Sequence, residues 1–320
     1  MNRLSQVVSV AVAAACLLGP APAFAAGWPD KPVKVIVPFG PGGTTDTLVR
    51  NIQRVSEEKK LLPQPLTVIN VGGHFSVGSN QVKNAAPDGY TFLAMHLALL
   101  SGEIVDPNRK LSYRDFEAVA LTGGFCLHPV VRDDAPWKTL QELLAAAKAQ
   151  PGTIIFGVNV GALNHLGGGM LEAAFPGAKF RFVQIGGGAE NFAALKGGNT
   201  QVSMLSSSEY QNFKAGGMRA LGYTGTERLK LEPEIKTMRE QGLDFDFCIN
   251  NYWLAPKGTP KEAIDGMAAM LQKAMASPEM QAAQTKQASS SEFMSGPAFQ
   301  KSLDDTFKRM EPVAKTLVRK

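Results

Sequence analysis

The segment Pro38-Phe39-Gly40-Pro41-Gly42-Gly43-Thr44-Thr45-Asp46 joins a β-branched run to a stretch with helical spacing. Glycines at such a junction let the backbone approach a ligand closely, and the first N–H groups of a helix have no partner inside it. Their partial positive charge favours an anionic group. Phe39, Gly42, Gly43, Thr44, Thr45 and Asp46 are therefore candidate ligand contacts. The same residues also make an ordinary tight turn capped by Thr44 or Asp46, and the pattern alone leaves both readings open. The segment is not a Walker A loop, which needs Gly-Lys-Ser/Thr, and it lacks the spaced glycines of a dinucleotide fingerprint.

His74, His96 and His165 fall at or just after expected strand ends, where open α/β folds place ligands. Imidazole is a common metal ligand. However, His165 opens a helix and the other two serve as polar wall residues, so no metal and no cofactor are expected. His128 lies inside a strand and reads as structural. Ser206-Ser207-Ser208-Glu209 reads as a helix cap rather than a nucleophile cluster. No Gly-x-Ser-x-Gly, His-Glu-x-x-His or Cys-x-x-Cys occurs, and no catalytic residue is assigned.

These candidates need a scaffold. The chain has 320 residues, 44% hydrophobic and 19% charged, with a formal charge of +5. That excludes a disordered chain, and the length fits two domains at about 100–200 residues each. Lys and Arg are dispersed, so nucleic acid is not an expected partner. Residues 1–25 read as a signal peptide: Arg3, an apolar run from Val7 to Leu18, and Ala23-Phe24-Ala25 before the cut after Ala25. Cys16 leaves a lipoprotein reading open. Removing Arg3 leaves 32 basic against 28 acidic residues, a charge of +4.

Alternating strand and helix patterns follow. Strands are expected at 33–38, 66–69 and 91–95, with helices at 47–60 and 80–85. A second series has strands at 126–131, 153–156, 180–185, 202–205 and 220–223. Its helices are expected at 139–149, 162–175, 189–196 and 209–214. A long strand at 245–255 precedes helices at 261–276, 278–286 and 297–318, the last interrupted at Pro312. This order predicts mainly parallel sheets flanked by helices. The strands at 125–131 and 245–255 bracket the second series and would form a two-strand hinge. Cys126 and Cys248 would then sit on neighbouring strands, either bridged or as two buried thiols. Tyr252 and Trp253 either touch a ligand or fill the core between domains.

The chain resembles the periplasmic receptors of tripartite tricarboxylate transporters, the Bug family, in several ordered blocks. These are Trp28-Pro29-Asp30-Lys31-Pro32 with the glycine turn, Ala86-Pro87-Asp88-Gly89-Tyr90-Thr91, His165-Leu166 and Lys214-Ala215-Gly216 with Arg219-Ala220-Leu221. They continue with Glu240-Gln241-Gly242-Leu243 and Leu254-Ala255-Pro256-Lys257-Gly258-Thr259-Pro260. The resemblance implies an α/β, two-domain periplasmic binding protein of type II-like architecture. Domain 1 would comprise 26–124 and 252–320, and domain 2 would comprise 125–251. It further implies a monomer that holds a small organic anion (a mono-, di- or aromatic carboxylate) and delivers it to membrane permease subunits. The other readings are a carboxylate sensor with a signalling partner, and a periplasmic hydrolase on the same scaffold.

Departures from the family pattern bear on specificity. Gly72-Gly73-His74-Phe75 stands where Gly-Ala-Gly-Gly is usual, which places two rings near the pocket and favours a bulky or aromatic carboxylate. The loop before His165 is Gly157-Val158-Asn159-Val160-Gly161-Ala162-Leu163-Asn164, poor in hydroxyls. Gln184-Ile185-Gly186-Gly187 replaces Pro-Tyr-Lys-Gly, removing an aromatic and a cation. The expected ligand wall on this side is Asn159, Gly161, Ala162, His165, Ile185, Gly186 and Gly187, facing the glycine turn with His74, Phe75 and His96.

Overall fold

The computed structural model describes residues 27–318. The expected signal peptide, its cleavage site and Cys16 lie outside the described residues.

The first series is β1 (Val33–Val37), α1 (Thr44–Glu58), β2 (Leu66–Asn70), α2 (Ser76–Lys83), β3 (Thr91–His96) and α3 (Ala98–Val105). In β1, four of five side chains are fully buried, as a strand covered on both faces requires. The apolar stripe of α1, Leu48, Val49, Ile52 and Val55, is buried against the sheet. The sequence reading missed α3. Ala98, Leu99 and Leu100 are fully buried and its two polar side chains, Ser101 and Glu103, fall on different faces, so no polar face marks its helical period.

A single strand, β4 (Phe116–Arg132), then runs for 17 residues. Only its second half was expected, since the Gly123-Gly124 pair interrupts the strand pattern. Here the pair is a bulge: the register with its partner strand slips between Thr122 and Gly124. Gly123 has φ +54°, and a Cβ there would lie 2.6 Å from Gln284 Nε2, so only glycine fits.

The second series is α4 (Leu140–Ala149), β5 (Ile155–Val158), α5 (Leu163–Ala174), β6 (Arg181–Gln184), α6 (Gly188–Lys196), β7 (Val202–Ser206), α7 (Ser207–Phe213) and β8 (Met218–Ala220). The strand expected at 220–223 is thus displaced towards β8. Its remainder is irregular, although Leu221 N–H still donates to Pro129 O (2.8 Å). The return strand β9 (Cys248–Pro256) is shorter than expected, because Phe247 N–H bonds Thr224 O instead of joining the ladder. The chain ends with α8 (Lys261–Met275), α9 (Pro278–Lys286), β10 (Phe293–Ser295) and α10 (Gly296–Thr316). The α10 helix continues through Pro312 rather than stopping there, close enough to its end that few later turns depend on it.

The sheet order is β2-β1-β3-β9-β4-β7-β5-β6, with β10 and β8 also pairing β4. Each end is parallel, β2-β1-β3 and β7-β5-β6, while every ladder made by β4 or β9 is antiparallel. The whole is therefore mixed, with a parallel block in each half. Cys126 and Cys248 are register partners in β4 and β9, with Cα atoms 4.1 Å apart, and they are disulfide-bonded. Of the two readings left open, the bridge is the one found.

Trp253 is fully buried and its indole N–H donates to Thr122 Oγ1 (2.8 Å), while Tyr252 packs on Phe299. Both fill the core. His128 is fully buried with Nδ1 3.0 Å from Gly222 O and its ring stacked on Tyr223, which fits a structural role.

Candidate ligand-binding site

Three helices start at one small cavity between the β2-β1-β3 and β7-β5-β6 halves. The starts are Gly43-Thr44-Thr45 of α1, Ala162-Leu163-Asn164 of α5 and Gly187-Gly188 of α6. In none does the N-cap residue's own side chain bond the first turn; Thr44 N–H is met instead by Glu209 Oε1, and His165 N–H by Asn164 Oδ1 (3.0 Å). The positive dipole ends of three helices are thereby brought around one space. Phe39, His96, Phe125, Asn159, Met204 and Glu209 complete the wall. The cavity is about 30 Å³, room for little more than water. Admitting an organic molecule requires the two halves to part.

The turn before α1 is held from behind. Asp46, 2% exposed, accepts from Gly42 N–H (2.8 Å), Asn70 Nδ2 (2.9 Å) and Arg50 Nε (2.9 Å). Asp46 and Gly42 thus shape the turn, and neither lines the cavity. Gly42, at φ +83°, sits where a side chain would be strained. Thr45 Oγ1 donates to Asn251 Oδ1 (2.9 Å), fixing the turn to β9.

His96 stacks on Phe39 with ring centroids 4.6 Å apart and accepts from Ala98 N–H through Nδ1 (3.1 Å). Burial drives its pKa down to about 3, so the imidazole is neutral and supplies no cation. No Lys or Arg lines the cavity.

The halves touch directly across the cleft. Thr44 N–H donates to Glu209 Oε1 (3.2 Å), Ser208 Oγ donates to Thr44 Oγ1 (3.0 Å), and Thr44 Oγ1 is also bonded to Ser206 Oγ. His74 Nε2 meets Val160 O (3.1 Å), Asn159 Nδ2 donates to Gly73 O (3.2 Å), and Ser101 Oγ donates to Gly161 O. The Glu190 carboxylate lies against Gly40 and Gly72, so that a Cβ on Gly40 would come within 2.6 Å of Oε1.

Among the residues expected from sequence, Phe39, Gly43, Thr44, Thr45, His96, Asn159, Ala162 and Gly187 line the cavity. Gly161, His165, Ile185 and Gly186 lie behind it: Gly161 N–H donates to His165 Nδ1 (3.2 Å) and Ile185 N–H to Val158 O (2.7 Å). His74 forms a contact between the halves instead of pocket wall. Phe75 is 2% exposed and packs against Gly102, so the ring thought to favour a bulky ligand belongs to the core.

Glu209 and Glu190 were missed. The serine cap was read correctly, since Glu209 N–H donates to Ser206 Oγ and Ser206 N–H to Glu209 Oε2 (2.9 Å). Its position after β7, at a strand end, was the available signal for a site. Among the described residues no three His, Cys, Asp or Glu side chains gather as metal ligands, and no helix is long and apolar enough to cross a membrane.

An α/β scaffold of two strand blocks joined by crossing strands, with helix starts facing a shared cleft, defines a solute-binding protein. The family model of the tripartite tricarboxylate transporter family receptor matches residues 48–318, and the chain belongs to that family. It is 32% identical over 259 residues to the UPF0065 protein in the tcbD-tcbE intergenic region of Pseudomonas sp. (strain P51), covering 79% of this chain and 76% of that one. The structure of the periplasmic binding protein BugD aligns with TM-score 0.81 at 28% identity, covering 91% and 97% of the two chains. MatC from Rhodopseudomonas palustris with bound malate aligns with TM-score 0.82 at 24% identity, covering 89% and 99%.

Proposed function

We propose that the chain is an exported receptor that captures a small organic carboxylate between two domains, 26–124 with 252–320 and 125–251, and presents it to the membrane subunits of a tripartite-type transporter. The observation that carries this reading is the convergence of the starts of α1, α5 and α6 on one cavity. Backbone N–H groups neutralise a carboxylate without a cationic side chain. The malate named in the MatC structure is a ligand of this chemistry. On this reading residues 1–25 are a signal peptide cut after Ala25, and the mature protein acts in the periplasm as a monomer.

Closure follows from contacts a ligand makes with both domains together, with β4 and β9 as the hinge. A thermal-shift screen of mono-, di- and aromatic carboxylates tests the reading. A ligand at about 100 times its Kd adds roughly 2.7 kcal/mol and raises the melting temperature. Conversion of any of these acids to product by the purified protein would instead establish an enzyme.

A further inference from the structure

A second cavity, of about 300 Å³, lies among α5, α10 and the start of β9. That is room for about ten groups the size of water, at the lower end of the range of about 300–1,000 Å³ for small-molecule sites. Its walls come from both halves of the sheet. Leu166 and Met170 belong to α5, while Ser302, Thr306, Arg309 and Val313 recur at helical spacing on one face of α10. None of these residues lines the cleft. The two helices also meet beyond the cavity, where a Cβ on Gly169 of α5 would lie 2.8 Å from Leu317 Cδ2.

Met170, Phe247 and Val313 are apolar, line this space and are only half buried. Apolar surface in such a concavity gains from being covered by an apolar body. Arg309 stands on the same wall, exposed. Its guanidinium gives one hydrogen bond, from Nη2 to Thr306 Oγ1 (3.2 Å), and among the described residues it pairs with no carboxylate. The acidic groups around it are already taken: Asp246, also on the wall, by Arg239 Nη2 (2.7 Å), and Asp305, one turn earlier on α10, by Lys301 Nζ (2.5 Å). A guanidinium with donors to spare matches an oxyanion.

We propose that this cavity is a second ligand site, separate from the cleft, for a small amphipathic anion: an aliphatic or aromatic body of up to about eight carbons with one carboxylate or sulfonate head. The body lies along Met170, Phe247 and Val313. The head pairs with Arg309, and the Ser302 hydroxyl is a further donor.

Isothermal titration of the mature protein with hexanesulfonate, hexanol and hexylamine tests the site. The sulfonate should bind roughly tenfold or more tightly than the alcohol, and the amine most weakly. Arg309→Gln, an exposed change, should lower sulfonate affinity roughly tenfold and leave the alcohol as it was. Met170→Trp fills the space and should remove binding of both, with a urea midpoint near the parent's. Glu209→Gln, in the cleft, should leave sulfonate binding unchanged. Absence of sulfonate binding at millimolar concentration overturns the proposal, as does equal binding of sulfonate and alcohol, or indifference to Arg309→Gln. A response to Glu209→Gln with none to Arg309→Gln would put the anion in the cleft and also overturns it. The carboxylate reading of the cleft stands under each of these outcomes.

Discussion

Thr44 and Glu209 stand 165 residues apart in sequence and in opposite halves of the sheet, yet the Thr44 N–H donates to Glu209 Oε1 at 3.2 Å. One protein carboxylate thereby sits on a helix start suited to a ligand carboxylate. Glu209→Gln keeps the side-chain length and removes the charge. Succinate should bind this variant roughly tenfold more tightly than the parent, because the competing anion is gone. Isothermal titration measures the ratio; unchanged or weaker succinate binding would show that Glu209 does not compete.

Gly161 sits at φ +80°, with Gly102 Cα 3.0 Å from where a Cβ would be. Gly161→Ala forces a methyl between the start of α5 and α3, in opposite halves. The left-handed conformation adds about 1 kcal/mol of strain. Ligand affinity should fall roughly tenfold, and small-angle scattering of the variant in saturating ligand should show a larger radius than the parent. An unaltered radius and affinity would mean that the α3–α5 approach is not needed for closure.

The Cys126–Cys248 bridge closes a loop with a sequence separation of 122. Alkylation should label neither thiol until a reductant is added. Replacing both with Ala should lower unfolding stability by about 2–4 kcal/mol, read from urea denaturation without reductant. Labelling of the native, unreduced protein would contradict the bond.

His96 gives a pH dependence with a definite sign. Its pKa is lowered to about 3 in the folded chain by burial, against about 6.5 in the unfolded chain. The unfolded state therefore binds the proton first as pH falls. Stability from the neutral imidazole is present above about pH 6.5 and is lost as pH drops towards about 3, by up to roughly 1.4 kcal/mol per pH unit. Buried His128, also lowered to about 3, acts with the same sign. His96→Phe keeps a ring on Phe39 and should flatten the slope of urea midpoints between about pH 6 and 4. A slope equal to the parent's would assign the acid sensitivity elsewhere.

The parallel blocks were legible because β1 and α1 obey local rules: β-branched density, a glycine turn, then apolar residues at helical spacing. The first half of β4 was not, since a Gly-Gly pair has the same local signature in a turn and in a bulge. Half of the candidate wall was read from turns that precede helices. The Glu190 and Glu209 carboxylates were not, because what gives them a role is the backbone they meet across the cleft, and no local pattern encodes that meeting. Phe75 shows the converse error: a ring where the family usually has glycine suggested exposure to ligand, while the missing side chain of Gly102 makes a socket for it.

The bridge between β4 and β9 has a kinetic consequence. It closes the far end of their shared register, past the Gly123-Gly124 bulge, so the two ribbons cannot unzip from that side. Thermal motion at the crossing is then confined largely to flexing of one double ribbon rather than independent wandering of two strands. The search for the contacts across the cleft becomes nearly one-dimensional, and little orientational entropy is left to lose when they form.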